Sequence, residues 1–177
     1  MKWNESLVVK ITVPLLIVAV VVALWFVKNG TTEPEPTIKL EGADFNLDVT
    51  TEIDFAALAE YGLPVIADYG SDSCIPCKQM APVLEKLNAE MQGKAFIKFV
   101  DVWKYFDAAG NVPVSMIPTQ VFFNADGTPF VPSKALQSKI AFKMEYDKAG
   151  NHTFTIHVGA LTEQQMRQIL AEMGVEE

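Results

Sequence analysis

The sequence predicts an α/β domain in which helices flank a mixed central sheet, preceded by one N-terminal transmembrane helix. Three observations predict this arrangement: an apolar stretch over residues 7–27, a strand–helix–strand pattern over residues 63–102, and two alternating runs before a last helical segment. Because the crossover requires parallel strands and a short hairpin requires antiparallel ones, the sheet is expected to be mixed.

The apolar stretch would span about 31 Å as a helix, close to the thickness of one hydrocarbon core. Lys2 and Lys10 precede its uninterrupted part, residues 11–27, and Lys28 is the only base just after it. The positive-inside rule then places the N-terminus in the cytoplasm. A cleaved signal peptide is the alternative, although no clear small-x-small cleavage site is present. We expect a single-pass cell-membrane anchor over residues 1–28, with the following domain on the extracytoplasmic side.

The anchor is followed by a linker and then by the folded domain. Residues 29–37 contain alternating glutamate and proline, which favours an extended, solvated linker. Hydrophobic residues make up 50% of the chain, which is enough for a core over residues 38–177. The formal net charge is −8 and no basic stripe is present, so nucleic-acid binding is not expected.

Local patterns define the first half of the domain. A helix is predicted over Thr51–Tyr61, with Thr51 as its cap and Gly62 as its end. The strand–helix–strand pattern then comprises a buried strand over residues 63–69, a helix over 77–91 and a second strand over 95–102. These two strands are expected to be parallel.

The second half of the domain is predicted to consist mainly of strands. A third strand is expected over residues 119–124, followed by two alternating runs over 139–146 and 153–158, with a hairpin signal at 147–151 between them. Thr162 and Gln165 form a capping box that starts the last helix, and Gly174 ends it.

The two cysteines, Cys74 and Cys77, lie three residues apart where a loop leads into a helix. A bridge between them closes a very small loop and stabilises the fold little, so the pair is expected to serve chemistry. A thiolate at Cys74 would be favoured by the unpaired N–H groups and the dipole of the helix N-terminus, and thiolate is the attacking species in disulfide exchange. Cys77, one turn further on, can resolve the mixed disulfide, and Pro76 suits the first helical turn.

Four features in the right order carry a resemblance to a known family. They are Cys74-Ile75-Pro76-Cys77-Lys78 followed by Met80-Ala81-Pro82, the segment Ile117-Pro118-Thr119, the segment Val158-Gly159-Ala160-Leu161, and Asp68 six residues before the first cysteine. Over Leu63–Gly174 the sequence resembles the thioredoxin family. The resemblance implies a thioredoxin-like fold and a redox-active dithiol.

The resemblance also implies roles for individual residues. Cys74 would be the exposed nucleophile and Cys77 the more buried resolving thiol. Pro118 would follow a cis peptide and face the cysteines, with the Ile117 backbone ready to pair with an extended substrate segment. Asp68 would be buried with a raised pKa and would accept the Cys77 proton through water. An ordinary surface acid at the strand end is the alternative for Asp68.

The sequence departs from the family pattern around the first cysteine. Ser73 stands where the family usually has tryptophan, and Gly70 stands where it has an aromatic residue. The dipeptide between the cysteines is Ile75-Pro76 instead of Gly-Pro, and both residues are expected to contact substrate. The region 128–151 is longer than in a minimal thioredoxin, which suggests an extra hairpin or a partner surface. These changes leave the substrate surface and the redox poise open.

The most favoured function is a membrane-tethered disulfide reductase that acts on extracytoplasmic proteins. Electrons would come from a membrane-embedded thiol relay protein, since cytosolic reductants do not reach an outside domain. No metal or other cofactor is expected. A net oxidase or isomerase with the same residues remains an alternative. A second alternative is a non-catalytic module or a copper metallochaperone, although His152 and His157 are more simply surface or packed side chains.

Overall fold

The computed structural model describes Leu15, Val18 and residues 40–176. The predicted anchor, apart from those two positions, and the predicted linker lie outside the described residues. In the part of the chain that is described, no helix is both long enough and apolar enough to cross a membrane. The chain divides into two units between Thr37 and Ile38, and the second unit is the one described below.

Six strands of this unit form one mixed sheet, in the order β1-β3-β2-β4-β6-β5. Strands β1, β3 and β2 are parallel, whereas β4, β6 and β5 join in antiparallel pairs. The strands are β1 (Asp48–Val49), β2 (Val65–Gly70), β3 (Phe96–Asp101), β4 (Thr119–Phe123), β5 (Lys143–Tyr146) and β6 (His152–Val158). The mixed sheet, the parallel β2–β3 pair and the late hairpin are therefore confirmed.

Helices cover both faces of this sheet. They are α1 (Phe55–Ala59), α2 (Ile75–Glu90), a 3₁₀ helix (Phe106–Ala109), α3 (Lys134–Gln137) and α4 (Glu163–Glu172). One core packs α2 and α4 against one face, and a second core packs α1 against the other. Because strand side chains alternate, Ile66 lies in the α2 core while Val65 and Ala67 lie in the α1 core. The same alternation directs Asp68 toward α2.

Two predicted elements are shorter than the sequence patterns suggested. The first helix begins at Phe55 and not in the predicted 51–54 segment, because Asp54 is the cap and its carboxylate accepts from the Ala57 N–H at 3.0 Å. The predicted Thr51 cap is therefore wrong. Residues 139–142 do not belong to β5, which begins at Lys143.

The structure also contains helical residues that the sequence patterns did not predict. Helix α2 begins two residues earlier than predicted and includes Pro76 in its first turn. Helix α3 was not predicted, and Ser133 caps it by accepting from the Leu136 N–H at 3.2 Å. The region 128–151 thus contributes α3 and the edge strand β5. The Thr162–Gln165 capping box of α4 is confirmed.

Candidate active site

The two cysteines lie at the N-terminus of α2, where a loop ends the preceding strand. Cys74 is the N-cap residue, and its carbonyl accepts from the Lys78 N–H at 3.0 Å, which is the first helical bond. Its own N–H donates to the Ser71 carbonyl at 3.1 Å, which closes the loop from β2. Both thiols are free; Cys74 is partly exposed, whereas Cys77 is 4% exposed. An outer and an inner thiol are thus present, as predicted.

The segment before β4 lies against the outer thiol. The Ile117–Pro118 peptide is cis, as the resemblance implied. The Ile117 carbonyl oxygen is 3.9 Å from the Cys74 Sγ, and the Gly159 N–H donates to the Pro118 carbonyl at 2.9 Å. The loop that follows β6 therefore holds this segment beside Cys74. Ile75 is 72% exposed and Pro76 is exposed next to it, so both are available to a partner.

Asp68 is fully buried beneath α2, which confirms the predicted burial and rules out the surface alternative. Gln120 donates from Nε2 to Asp68 Oδ1 at 2.6 Å, while Asp68 Oδ2 has no partner among the described residues. Burial raises the pKa of Asp68 from 3.8 to about 7, and the hydrogen bond from Gln120 limits this rise. The carboxyl group can therefore exchange a proton near neutral pH.

Sequence reasoning did not identify Gln120. It faces Asp68 across the antiparallel β2–β4 pair, and its Nε2 also lies 3.4 Å from the Met80 sulfur. A polar side chain in the apolar run Thr119–Phe123 was the available signal. Its partner depends on the register between β2 and β4, which local patterns do not fix.

The inner thiol is electrostatically unlike a free cysteine. Burial raises the pKa of Cys77 to about 12, and the hydrogen bond to the Cys74 thiol and the charges of Cys74 and Asp68 act in the same direction. The hydrogen bond with the Ser71 backbone opposes this rise. Cys77 is therefore held as a neutral thiol until a base removes its proton.

The inner thiol and the Asp68 carboxyl group both lie close to Gly70. A Cβ atom at this position would lie 3.2 Å from Asp68 Oδ2 and 3.2 Å from the Cys77 Sγ, both closer than ordinary contact. The two groups thus face one small gap, which exists because residue 70 has no side chain. The sequence marked Gly70 only as a departure from the family pattern.

An apolar groove of about 590 Å³ lies on the Ile117 side of the dithiol. Ile117 lines it together with three exposed side chains that the sequence did not single out: Trp103 (64% exposed), Phe106 (83%) and Met116 (62%). Exposed apolar side chains around a concave surface are typical of protein-binding sites. Among residues 40–176, no cluster of three or more side chains suits a metal ion.

Comparisons with known proteins agree with this geometry. Residues 46–146, more than half of the chain, match the family model for thioredoxin. Thioredoxins of Staphylococcus aureus strains are 40% identical over 79 residues, which are 45% of this chain and 74% of theirs.

Similar solved structures include chloroplastic thioredoxin z, with a TM-score of 0.48 at 20% identity, covering 72% of this chain and 93% of that one. A thioredoxin of Fasciola hepatica has a TM-score of 0.49 at 22% identity, covering 72% and 99%. The family match includes the Cys74–Cys77 motif, and the chain therefore belongs to the thioredoxin family of thiol–disulfide oxidoreductases.

Proposed function

We propose that this protein is a membrane-tethered reductase of protein disulfides outside the cytoplasm. The observation that carries the reductase chemistry is the pairing of an outer thiol, Cys74, beside the Ile117 backbone with an inner thiol, Cys77, beside Asp68. The apolar residues 7–27 and the Glu/Pro linker support the tether. The positive-inside rule supports the extracytoplasmic side.

The first half of the reaction takes place at Cys74. Its thiolate attacks one sulfur of a substrate disulfide, and the other substrate sulfur leaves as a thiolate. An extended substrate segment pairs with the Ile117 backbone, while its apolar side chains fill the groove that contains Trp103 and Phe106. Ile75, beside the nucleophile, adds an exposed apolar contact.

The second half releases the substrate. Cys77 attacks the Cys74 sulfur, the substrate thiolate leaves, and a Cys74–Cys77 disulfide forms. Because the pKa of Cys77 is near 12 and that of Asp68 near 7, full proton transfer before attack is unfavourable. The proton therefore moves to Asp68 across the Gly70 gap as the new S–S bond forms. A membrane-embedded thiol relay protein then reduces the disulfide.

Two experiments test this function. The equilibrium of the Cys74–Cys77 pair with glutathione should give a potential closer to about −270 mV, typical of thioredoxin, than to about −180 mV, typical of protein disulfide isomerase. A value near the second figure would favour net oxidation or isomerisation instead.

Protease added to spheroplasts should remove residues 38–177 while the 7–27 segment stays in the membrane. A domain that stays protected in intact spheroplasts contradicts the proposed topology.

A further inference from the structure

Two loops leave the same end of the sheet beside the dithiol. Gly70 lies opposite Asp101 in the last pair of the parallel β2–β3 ladder. Strand β2 continues through residues 71–73, the dithiol loop, into Cys74. Strand β3 continues into residues 102–105, the groove loop, which form part of the wall of the apolar groove. A substrate that contacts both the outer thiol and the groove therefore requires the two loops to keep a fixed separation.

The side chain of Asp101 joins these two loops. It is 5% exposed, and its carboxylate accepts three backbone hydrogen bonds. Oδ1 accepts from the N–H groups of Trp103 and Lys104, both at 3.0 Å. Oδ2 accepts from the Asp72 N–H at 3.1 Å. One oxygen thus holds the groove loop, and the other holds the dithiol loop.

The tie between the loops is a charged one. Burial acts to raise the pKa of Asp101, but the backbone N–H groups that it accepts from lower this pKa below its usual value. The group is therefore a carboxylate at neutral pH, and hydrogen bonds to a carboxylate are stronger than neutral ones. The Lys104 ammonium also pairs with the Asp72 side chain. Because both of those side chains are more than half exposed, this ion pair contributes less than the buried carboxylate.

We propose that Asp101 is a positioning residue for substrate: its carboxylate holds Trp103 at a fixed separation from Cys74, so that one extended substrate segment contacts the groove and the outer thiol together. The proposal rests on the disulfide reduction of the proposed function, but not on its membrane anchor or its relay partner. The thiol itself is positioned separately, because the Cys74 carbonyl accepts the first helical bond from the Lys78 N–H. Loss of the Asp101 tie should therefore displace the groove and leave the thiol chemistry in place.

Trp103 is the side chain whose position matters most to a substrate. The dithiol loop consists of two serines and an aspartate, so it offers no large apolar side chain. Trp103 is 64% exposed, lines the groove and follows Asp101 by only two residues. A tryptophan ring buries a large, rigid surface on binding, and its contribution depends on where the ring is held.

The variant Asp101→Asn separates the two halves of the tie. The amide keeps one oxygen for the groove loop, whereas its NH₂ group cannot accept from the Asp72 N–H. Single-turnover reduction by the reduced full chain is measured with insulin, a protein disulfide, and with bis(2-hydroxyethyl) disulfide, which is too small to contact the thiol and the groove together. We expect the half-saturating insulin concentration to rise about tenfold, the scale of one hydrogen bond to a charged group. The maximal rate with insulin and the rate with the small disulfide should both stay within about twofold of wild type.

Two further variants control this result. Asp147→Asn removes the same charge from a carboxylate that accepts from the N–H groups of Ala149 and Asn151, both at 2.8 Å, in the β5–β6 turn. It should leave every rate unchanged. Asp101→Ser keeps a hydroxyl that can accept within the groove loop but is too short to reach Asp72. It should reproduce the loss of insulin affinity, and it replaces the amide variant if that variant does not fold.

A double-mutant cycle shows whether Asp101 acts through Trp103. Trp103→Ala truncates an exposed side chain and should by itself raise the half-saturating insulin concentration about tenfold. If the carboxylate serves to place this ring, Asp101→Asn should add less than about twofold once the ring is gone. A merely structural role for Asp101 would instead give two independent effects that multiply.

Four results would overturn the positioning role. They are an unchanged half-saturating insulin concentration in the Asp101 variants, an equal loss of rate with the small disulfide, no effect of Trp103→Ala, and independent effects in the cycle. Failure of the proposed function would appear differently, as an inability of the reduced wild-type protein to reduce either disulfide.

Discussion

Replacement of Asp68 by asparagine should change both the free energy of unfolding and the rate of disulfide exchange. The two effects can be measured separately. In the folded chain the pKa of this carboxyl is raised from 3.8 to about 7, so the folded state binds a proton more tightly than the unfolded state. At 1.36 kcal/mol per pKa unit, the shift corresponds to about 4 kcal/mol. Stability is therefore unaffected below about pH 4 and falls between about pH 4 and 7, where only the unfolded chain loses the proton. Above about pH 7 it stays lower by about 4 kcal/mol.

Asp68→Asn should remove this pH dependence. The amide oxygen can still accept from Gln120, which now donates to Asp68 Oδ1 at 2.6 Å, so the main contact is preserved. Chemical denaturation of the full chain should give equal stability for variant and wild type at pH 4, and a more stable variant at pH 8.5. Every other titrating group is common to both proteins, so the difference isolates Asp68.

The same variant should be slower in chemistry. A positioned general base contributes on the order of 10²-fold or more, and we expect about 10² because Asp68 reaches Cys77 across the Gly70 gap. Release of substrate from the mixed disulfide, followed by rapid quench, should slow in the variant and lose the inflection near pH 7, while the first attack by Cys74 changes little. A variant with wild-type release rates, or with an unchanged pH dependence of stability, would refute the reasoning.

Three further predictions concern the two thiols, the hydrogen-bond partner of Asp68 and the cap of α1. Cys77→Ser should trap substrate on Cys74 as a stable mixed disulfide, visible on non-reducing gels, whereas Cys74→Ser should trap almost none; equal trapping by both contradicts the assigned roles. Gln120→Leu should raise the pKa of Asp68 further, because the hydrogen bond that is lost favours the charged form. The pH at which the rate of substrate release is half-maximal should then move upward. If this pH does not move, the bond does not control the pKa of Asp68. Asp54→Ala should lower the free energy of unfolding by about 1 kcal/mol through loss of the α1 cap, while Thr51→Ala, at the cap position predicted from sequence, should change it little.

The sequence predicted the features that depend on local spacing. The interval between the cysteines, the proline after Ile117 and the Thr162 capping box can each be read within a few residues, and the structure has all three geometries. The start of α1 was mispredicted because Thr51 and Asp54 are both good caps, and only the folded chain decides between them. The contact between Gln120 and Asp68 was missed because it depends on the pairing of two strands far apart in sequence.

Local patterns did not predict that Asp68, Gly70 and Cys77 lie together. The arrangement nevertheless follows from two short spacings in the sequence. Asp68 and Gly70 are two residues apart on β2, so they belong to the same face of the sheet, beneath α2. Cys77 follows Cys74 by one helical turn, which turns its thiol inward over that face. A base, a small empty space and a thiol therefore meet at one point. The base serves the second half of the protein-disulfide reaction, and the space left by Gly70 leaves no side chain between that base and the inner thiol.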